Sequence, residues 1–152
     1  MKIFVCLASF ALSSCLAICA DTGKEESESA IKEAMFRYQF LHLTPKQQRV
    51  KAKFYALSFG DKVTAPNEAF LKRFATNSPP IKEGALVFST ADGIFAKGTN
   101  EPGLGFEVTK VDWLSATEVV VRAGHEETAL RKSWHNYHLK KENGVWTVLQ
   151  TP

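Results

Sequence analysis

The stretch that decides the fold is SWHNYHLKKENGVWTVL, from Ser133 to Leu149. It predicts a long antiparallel hairpin, because Asn143-Gly144 suits a type I′ turn in which both central residues take positive φ. A two-residue loop there sets the register and pairs Glu142 with Val145, Lys141 with Trp146, Leu139 with Val148 and Tyr137 with Gln150. Alternation along the strands then gives an apolar face, with Tyr137, Leu139, Trp146 and Val148, and a wetter face on the other side.

The residues before this hairpin extend it into a meander of about five antiparallel strands. The apolar parity changes between Val108 and Val111, which predicts a β-bulge near Thr109-Lys110. A five-residue loop from Leu114 to Glu118 then places Trp113 opposite Val119 and Val111 opposite Val121. Further strands are predicted at 52–59 and 85–89, a glycine-rich loop at 90–103, and a charged loop or bulge at 124–128.

An amphipathic helix is predicted ahead of the strands, from Glu26 to Leu43. Its apolar stripe is formed by Ile31, Met35, Tyr38 and His42, and is widened by Ala34, Phe40 and Leu41. Short helices are expected after the Thr44-Pro45 cap signal and from Glu68 to Ala75, where Asn67 is the cap. The order predicts an α+β domain in which a long N-terminal helix packs on a curved, mostly antiparallel, cone-like half-barrel sheet with one or two short helices.

The first 20 residues have the layout of a secretory signal peptide: a basic start, an uncharged apolar run and small residues before Asp21. We therefore divide the chain into a signal peptide at 1–20, a polar tether at 21–25 and the domain at 26–152, and expect export to a periplasm or the extracellular space. Cleavage after Ala20 removes all three cysteines. The alternative is that Leu12-Ser13-Ser14-Cys15 acts as a lipobox, so that Cys15 is lipidated and the protein is a membrane-anchored lipoprotein.

Charge and motif spacing exclude several classes of partner. Removing residues 1–20, which contain one lysine and no acid, lowers the net charge from +3 to +2, which gives no basis for binding nucleic acid or, without lipidation, a membrane. No metal site is predicted, because His135 and His138 point to opposite faces of a strand and Ala129 stands where HExxH requires histidine. No cofactor is predicted, since Gly98 to Gly105 lacks the spacing of a phosphate loop.

Three segments resemble the nuclear transport factor 2-like superfold, which includes ketosteroid isomerase-like and SnoaL-like proteins. They are the opening helix AIKEAMFRYQFLHL (30–43), the short helix NEAFLKRFA (67–75) and the closing YHLKKENGVWTVL (137–149). The resemblance implies a conical pocket between the first helix and the sheet, and dimerisation through the sheet. No catalytic residue is carried over, because the Tyr/Asp/Asp set of the isomerases has no match. A cystatin-like helix-on-sheet domain is the alternative fold.

The candidate pocket residues are Tyr38 and His42 on the helix and His135 and Tyr137 on the hairpin. A histidine beside a phenol supports acid–base work, whereas the competing interpretation makes the tyrosines core aromatics. We expect an exported, non-enzymatic binding or accessory domain for an unknown small molecule or protein partner. The enzyme alternative is a cofactor-free isomerase, dehydratase or hydrolase that uses this pocket. A third class is an interaction protein that forms a homodimer through Trp134, Val120, Val145 and Leu149 on the wetter face.

Overall fold

The computed structural model describes residues 15–43, 45–60 and 64–150. The helices are α1 (Cys15–His42), α2 (Lys46–Lys51) and α3 (Glu68–Lys72), with a single 3₁₀ turn at Gly84–Leu86. The strands are β1 (Tyr55–Phe59), β2 (Ile81–Glu83), β3 (Val87–Ser89), β4 (Ile94–Ala96), β5 (Pro102–Trp113), β6 (Glu118–Thr128), β7 (Arg131–Glu142) and β8 (Val145–Gln150). The α+β prediction is confirmed: α1 packs on a mostly antiparallel, curved and unclosed sheet, with eight strands in the described part of the chain.

The sheet runs in the order β2-β1-β5-β6-β7-β8. Strands β5 to β8 form the predicted antiparallel meander, whereas β1 lies parallel to both β2 and β5. A small antiparallel hairpin of β3 and β4 is joined to the start of β5 through β4. The hairpin packs on Ala56, whereas the α1 core contains its neighbours Tyr55 and Leu57, so hairpin and α1 lie on opposite sides of the sheet.

The closing hairpin follows its turn chemistry. Asn143 and Gly144 have φ of 51° and 83°, and three of the four predicted pairs are present: Glu142–Val145, Lys141–Trp146 and Leu139–Val148. The fourth is wrong, because a register shift between His138 and Leu139 places Gln150 opposite His138 instead of Tyr137.

The predicted bulge in β5 is also confirmed. The β5–β6 register shifts between Val108 and Lys110. Beyond the shift, Val111 faces Val121 and Trp113 faces Val119, as the loop length predicted. The bulge therefore brings residues from both halves of a 12-residue strand onto the face that contacts α1.

Several predicted boundaries are wrong. Residues 90–103 are not all loop, because they contain β4 and the start of β5. Residues 124–128 belong to β6 and form no loop, although the register shift between Glu126 and Thr128 agrees with the bulge that was the other prediction for them. Strand β1 begins at Tyr55, not at residue 52, and α3 ends at Lys72 although its cap is as predicted, with Asn67 Oδ1 accepting from the Phe70 amide at 2.8 Å.

The N-terminal predictions fall largely outside the described residues. Residues 1–14 of the predicted signal peptide lie outside them, as does Thr44 of the predicted cap. Helix α1 begins at Cys15, so the segment 21–25, predicted as a tether, is helical. Among the helices that the structure describes, none is long and apolar enough to cross a membrane.

The buried face of α1 differs from the predicted stripe. Ile31, Met35, Phe36, Gln39 and Phe40 are buried, whereas Tyr38 is only half-buried and His42 is exposed. Leu41, predicted to widen the stripe, is 67% exposed. The centre of the buried face is a polar residue, Gln39. A prediction from apolar residues alone therefore placed the buried face too far to one side of the helix.

Gln39 is buried because the sheet offers it hydrogen-bond acceptors. Its Nε2 donates to the Gly124 carbonyl at 2.7 Å and to the Glu107 carbonyl at 3.5 Å. These two residues face each other across β5 and β6, next to the register shift at Val108. The side-chain amide gives these buried carbonyls a hydrogen-bond donor, so they are not left without a partner. The same hydrogen bonds hold α1 against the centre of the sheet.

Candidate functional site

The face of the sheet turned away from α1, which we call the open face, carries a polar row. Ser58, Glu107, Gly124 and Trp134 are successive partners across β1, β5, β6 and β7. The β3–β4 hairpin covers part of this face, held by an apolar cluster of Phe54, Ala56, Ile94 and Ala96 with Val87. Between hairpin and sheet lies a cavity of about 560 Å³, which we call the open-face cavity.

Trp134 forms the aromatic surface of this cavity. A Cβ on Gly124 would lie 2.4 Å from Trp134 Cδ1 and 2.7 Å from its Nε1, so the indole packs directly on the glycine backbone. Trp134 Nε1 donates to Glu107 Oε2 at 3.1 Å. Two contacts thus hold the ring in one orientation while the residue remains 40% exposed. A rigid, accessible indole is suited to stacking against a planar ligand.

The charges around the cavity are mostly matched. Lys132 Nζ lies 3.0 Å from Glu126 Oε1, and the carboxylate of Glu107 accepts from Trp134. Arg122 also lines the cavity and is exposed. Among the described residues its guanidinium has no carboxylate within 4.0 Å and no hydrogen bond; only its backbone carbonyl is engaged, by Thr109 Oγ1 at 3.1 Å. The four permanently charged side chains that line the cavity thus sum to zero, and among the described residues Arg122 is the one whose charged group has neither an ion pair nor a hydrogen bond.

The four predicted pocket residues lie in one continuous row on the α1 side of the sheet. Ring centroids are 4.5 Å apart for His42 and Tyr38, 5.9 Å for Tyr38 and Tyr137, and 6.3 Å for Tyr137 and His135. Both histidines are exposed, and Tyr137 is buried. Burial, with a smaller contribution from Tyr38, raises the pKa of Tyr137 to about 12. None of the four borders the open-face cavity.

A second polar cluster joins α2 to the sheet. Ser133 Oγ lies 3.0 Å from His125 Nδ1, and His125 Nε2 lies 3.7 Å from Glu127 Oε1. Gln48 Nε2 of α2 donates to the other oxygen of Glu127 at 2.8 Å. Burial lowers the pKa of His125, although Glu127 opposes this effect. The cluster keeps a neutral imidazole between a hydroxyl and a carboxylate.

Sequence reasoning did not find the packing of Trp134 on Gly124 or this cluster, and the reason is the same for both. His125 faces Ser133, and Gly124 faces Trp134, only through the β6–β7 register. That register follows from a two-residue turn at Ala129-Leu130, which carries no glycine or asparagine. The exposed Trp134 beside Gly124 was the available signal, but it requires the register to be known first.

The histidines considered for a metal site and the residues predicted for a dimer contact lie at separate places on the sheet. His135 pairs with Ala123 and His138 with Val120, on opposite faces. Within the ranges that the structure describes, no three His, Cys, Asp or Glu side chains are grouped as a metal ion would need. Of the residues predicted for a dimer contact, Val145 is 65% and Leu149 50% exposed, Val120 is half-buried, and Trp134 belongs to the open-face cavity. The dimer stays a prediction.

Comparison with known proteins gives no relative. No protein-family model, no curated protein and no solved structure matches the chain significantly. The resemblance to the nuclear transport factor 2-like superfold therefore stays a prediction, and function has to be inferred from the geometry of this chain alone.

Proposed function

We propose that this chain is an exported, non-enzymatic module that binds a small molecule in the open-face cavity. The observation that carries the proposal is the indole of Trp134, which is held by Gly124 and Glu107 yet is 40% exposed at the cavity. A ring that is already ordered loses little conformational entropy when a ligand stacks on it. The volume of about 560 Å³ lies in the range of small-molecule sites.

The export part of the proposal is supported by the sequence layout of residues 1–20. Cleavage after Ala20 would leave a domain without a thiol, which suits an oxidising compartment. A lipid on Cys15 would instead hold the same module at a membrane surface. We also propose that the domain is a cone-like half-barrel of nuclear transport factor 2-like type. The curved sheet with one long helix supports this proposal.

The enzyme alternative has one specific observation in its favour, the contact of Tyr38 with Tyr137 between two histidines. An isomerase, dehydratase or hydrolase would need one of these groups to exchange protons near neutral pH. A phenol whose pKa is raised to about 12 stays protonated there, so Tyr137 would donate a hydrogen bond and not act as a base. The binding role is therefore the better supported of the two.

The proposal is tested with 2-naphthamide, a neutral planar probe that is matched to the indole surface. Calorimetric titration of the processed protein should give measurable binding, and Trp134→Ala should weaken it by about 5- to 150-fold, since stacking on an aromatic side chain contributes about 1–3 kcal/mol. Val145→Ala, at a 65% exposed site on β8, is the matched control and should bind as the wild type does. Equal binding by wild type and Trp134→Ala would refute the proposed site.

A further inference from the structure

The charge of the open-face cavity restricts the class of ligand. Of its acidic residues, Glu126 is paired with Lys132, and Glu107 holds the indole of Trp134. Of its permanently charged cations, Lys132 is thus matched and Arg122 is not, among the residues that the structure describes. The ligand group that pairs with the Arg122 guanidinium would therefore be negatively charged.

The position of Arg122 relative to Trp134 restricts the ligand further. Arg122 and Gly124 are two residues apart on β6, so both project to the open face with Cα atoms roughly 6.6 Å apart. Gly124 is the residue on which the indole packs, and Trp134 is therefore the diagonal neighbour of Arg122. The guanidinium stands at the edge of the aromatic surface, within reach of a substituent on a ring that is stacked there.

The strand beneath Arg122 is held in place. Thr109, the residue at the register shift in β5, donates its hydroxyl to the Arg122 carbonyl at 3.1 Å. The bulge thus adds a side-chain contact where the ladder is interrupted, and the backbone that carries Arg122 is ordered. The side chain itself stays free to turn its planar fork toward a ligand.

We propose that the ligand of the open-face cavity is a planar ring that bears a carboxylate, with the ring stacked on Trp134 and the carboxylate bound by Arg122. This inference deepens the proposed function and rests on it. Guanidinium is suited to the task because it is always charged and its N–H groups match the two oxygens of a carboxylate. A single unmatched cation fits a monoanion better than a phosphate dianion.

The test compares 2-naphthoate with 2-naphthamide, which differ in charge and have the same ring. Calorimetric titration of the processed wild type should show naphthoate binding at least tenfold tighter than naphthamide. Arg122→Gln should abolish this preference, so that it binds the two probes about equally, and Arg122→Lys should restore part of it. Arg131→Gln removes the same charge at an exposed site outside the cavity, so it should keep the preference.

The outcomes separate this inference from the proposed function. Equal binding of the two probes by the wild type, lost in Trp134→Ala, would overturn the carboxylate inference and leave the binding site intact. A preference for naphthoate that persists in Arg122→Gln would also overturn it. Failure of both probes to bind at millimolar concentration would reject the site and the inference together. A wild-type circular dichroism spectrum and a wild-type urea midpoint verify that Arg122→Gln is folded.

Discussion

Replacing Gly124 by alanine should disrupt the aromatic surface of the open-face cavity. The new Cβ would lie 2.4 Å from the Ser133 carbonyl oxygen and 2.4 Å from Trp134 Cδ1. Ordinary contact begins at 3.4 Å, so each atom would have to retreat by 1.0 Å. The carbonyl belongs to β7 and moves little, and an indole that moves away strains or loses its 3.1 Å bond to Glu107. Overpacking and the weakened bond together should cost about 2–4 kcal/mol of unfolding free energy.

Urea unfolding, followed by circular dichroism, measures this loss. The matched control is Gly23→Ala, because a methyl group added to that glycine of α1 would have nothing within 4 Å and alanine favours a helix. We expect no loss of stability in the control. Gly124→Ala should also weaken 2-naphthamide binding about tenfold, under conditions in which the variant is folded. Wild-type stability together with wild-type affinity in Gly124→Ala would refute the packing of Trp134 on this glycine.

Three further predictions concern the α1 side of the sheet. Gln39→Ala leaves the Gly124 carbonyl without its 2.7 Å donor and opens a cavity. Urea unfolding should therefore show a loss of about 2–4 kcal/mol in the free energy of unfolding. The control Gln47→Ala, at an exposed position, should show almost no loss. Burial lowers the pKa of His125 below 6.5, so the contribution of His125 to stability should be constant well above pH 6.5 and should fall as the pH drops through that value. His125→Gln should flatten this part of the acid limb of the stability profile, and an unchanged limb would contradict the assignment. Burial raises the pKa of Tyr137 from 10.0 to about 12, so roughly 2–3 kcal/mol of stability should be lost as the pH rises through this region, and Tyr137→Phe should remove this component from the alkaline unfolding profile.

The sheet was the most predictable part of the fold, because its register depends on local signals. Asn143-Gly144 determined the closing hairpin, and the change of parity in β5 revealed the bulge. The prediction failed at Gln150, because the β7–β8 register shifts again between His138 and Leu139. Strand β8 is too short for this shift to show as a change in its apolar alternation. It failed again at β4, since three residues between glycine-rich turns give too short a pattern to recognise.

The helix shows why the candidate site was harder to predict. Apolar periodicity assumes that a buried face is apolar, and the centre of the buried face of α1 is Gln39. Its burial depends on the Gly124 carbonyl, 85 residues away in sequence, which no local pattern reports. Tyr38 and His42 were therefore assigned to the core-facing stripe although they lie at its edge.

The two faces of the sheet are packed differently. The α1 side is filled by aromatic and aliphatic side chains, including contacts of Phe36 with Phe40, Phe59, Phe70 and Phe74. The clefts that remain on this side, of about 410 Å³ beside Glu28 and Lys32 and about 550 Å³ beside α2, have no exposed aromatic ring among the described residues that line them. The open face keeps its space because the β3–β4 hairpin covers only part of it, and this is why we place the ligand site there.

The most direct test of that placement is a two-dimensional ¹H–¹⁵N spectrum of the processed protein during titration with 2-naphthoate. The chain contains three tryptophans, Trp113, Trp134 and Trp146, and each indole N–H gives its own signal. Trp113 and Trp146 pack against each other on the α1 side, with ring centroids 5.7 Å apart. We predict that the Trp134 indole signal shifts with probe concentration while the other two stay in place. Shifts of the Trp113 and Trp146 signals with Trp134 unchanged would contradict the open-face site and place the ligand between helix and sheet.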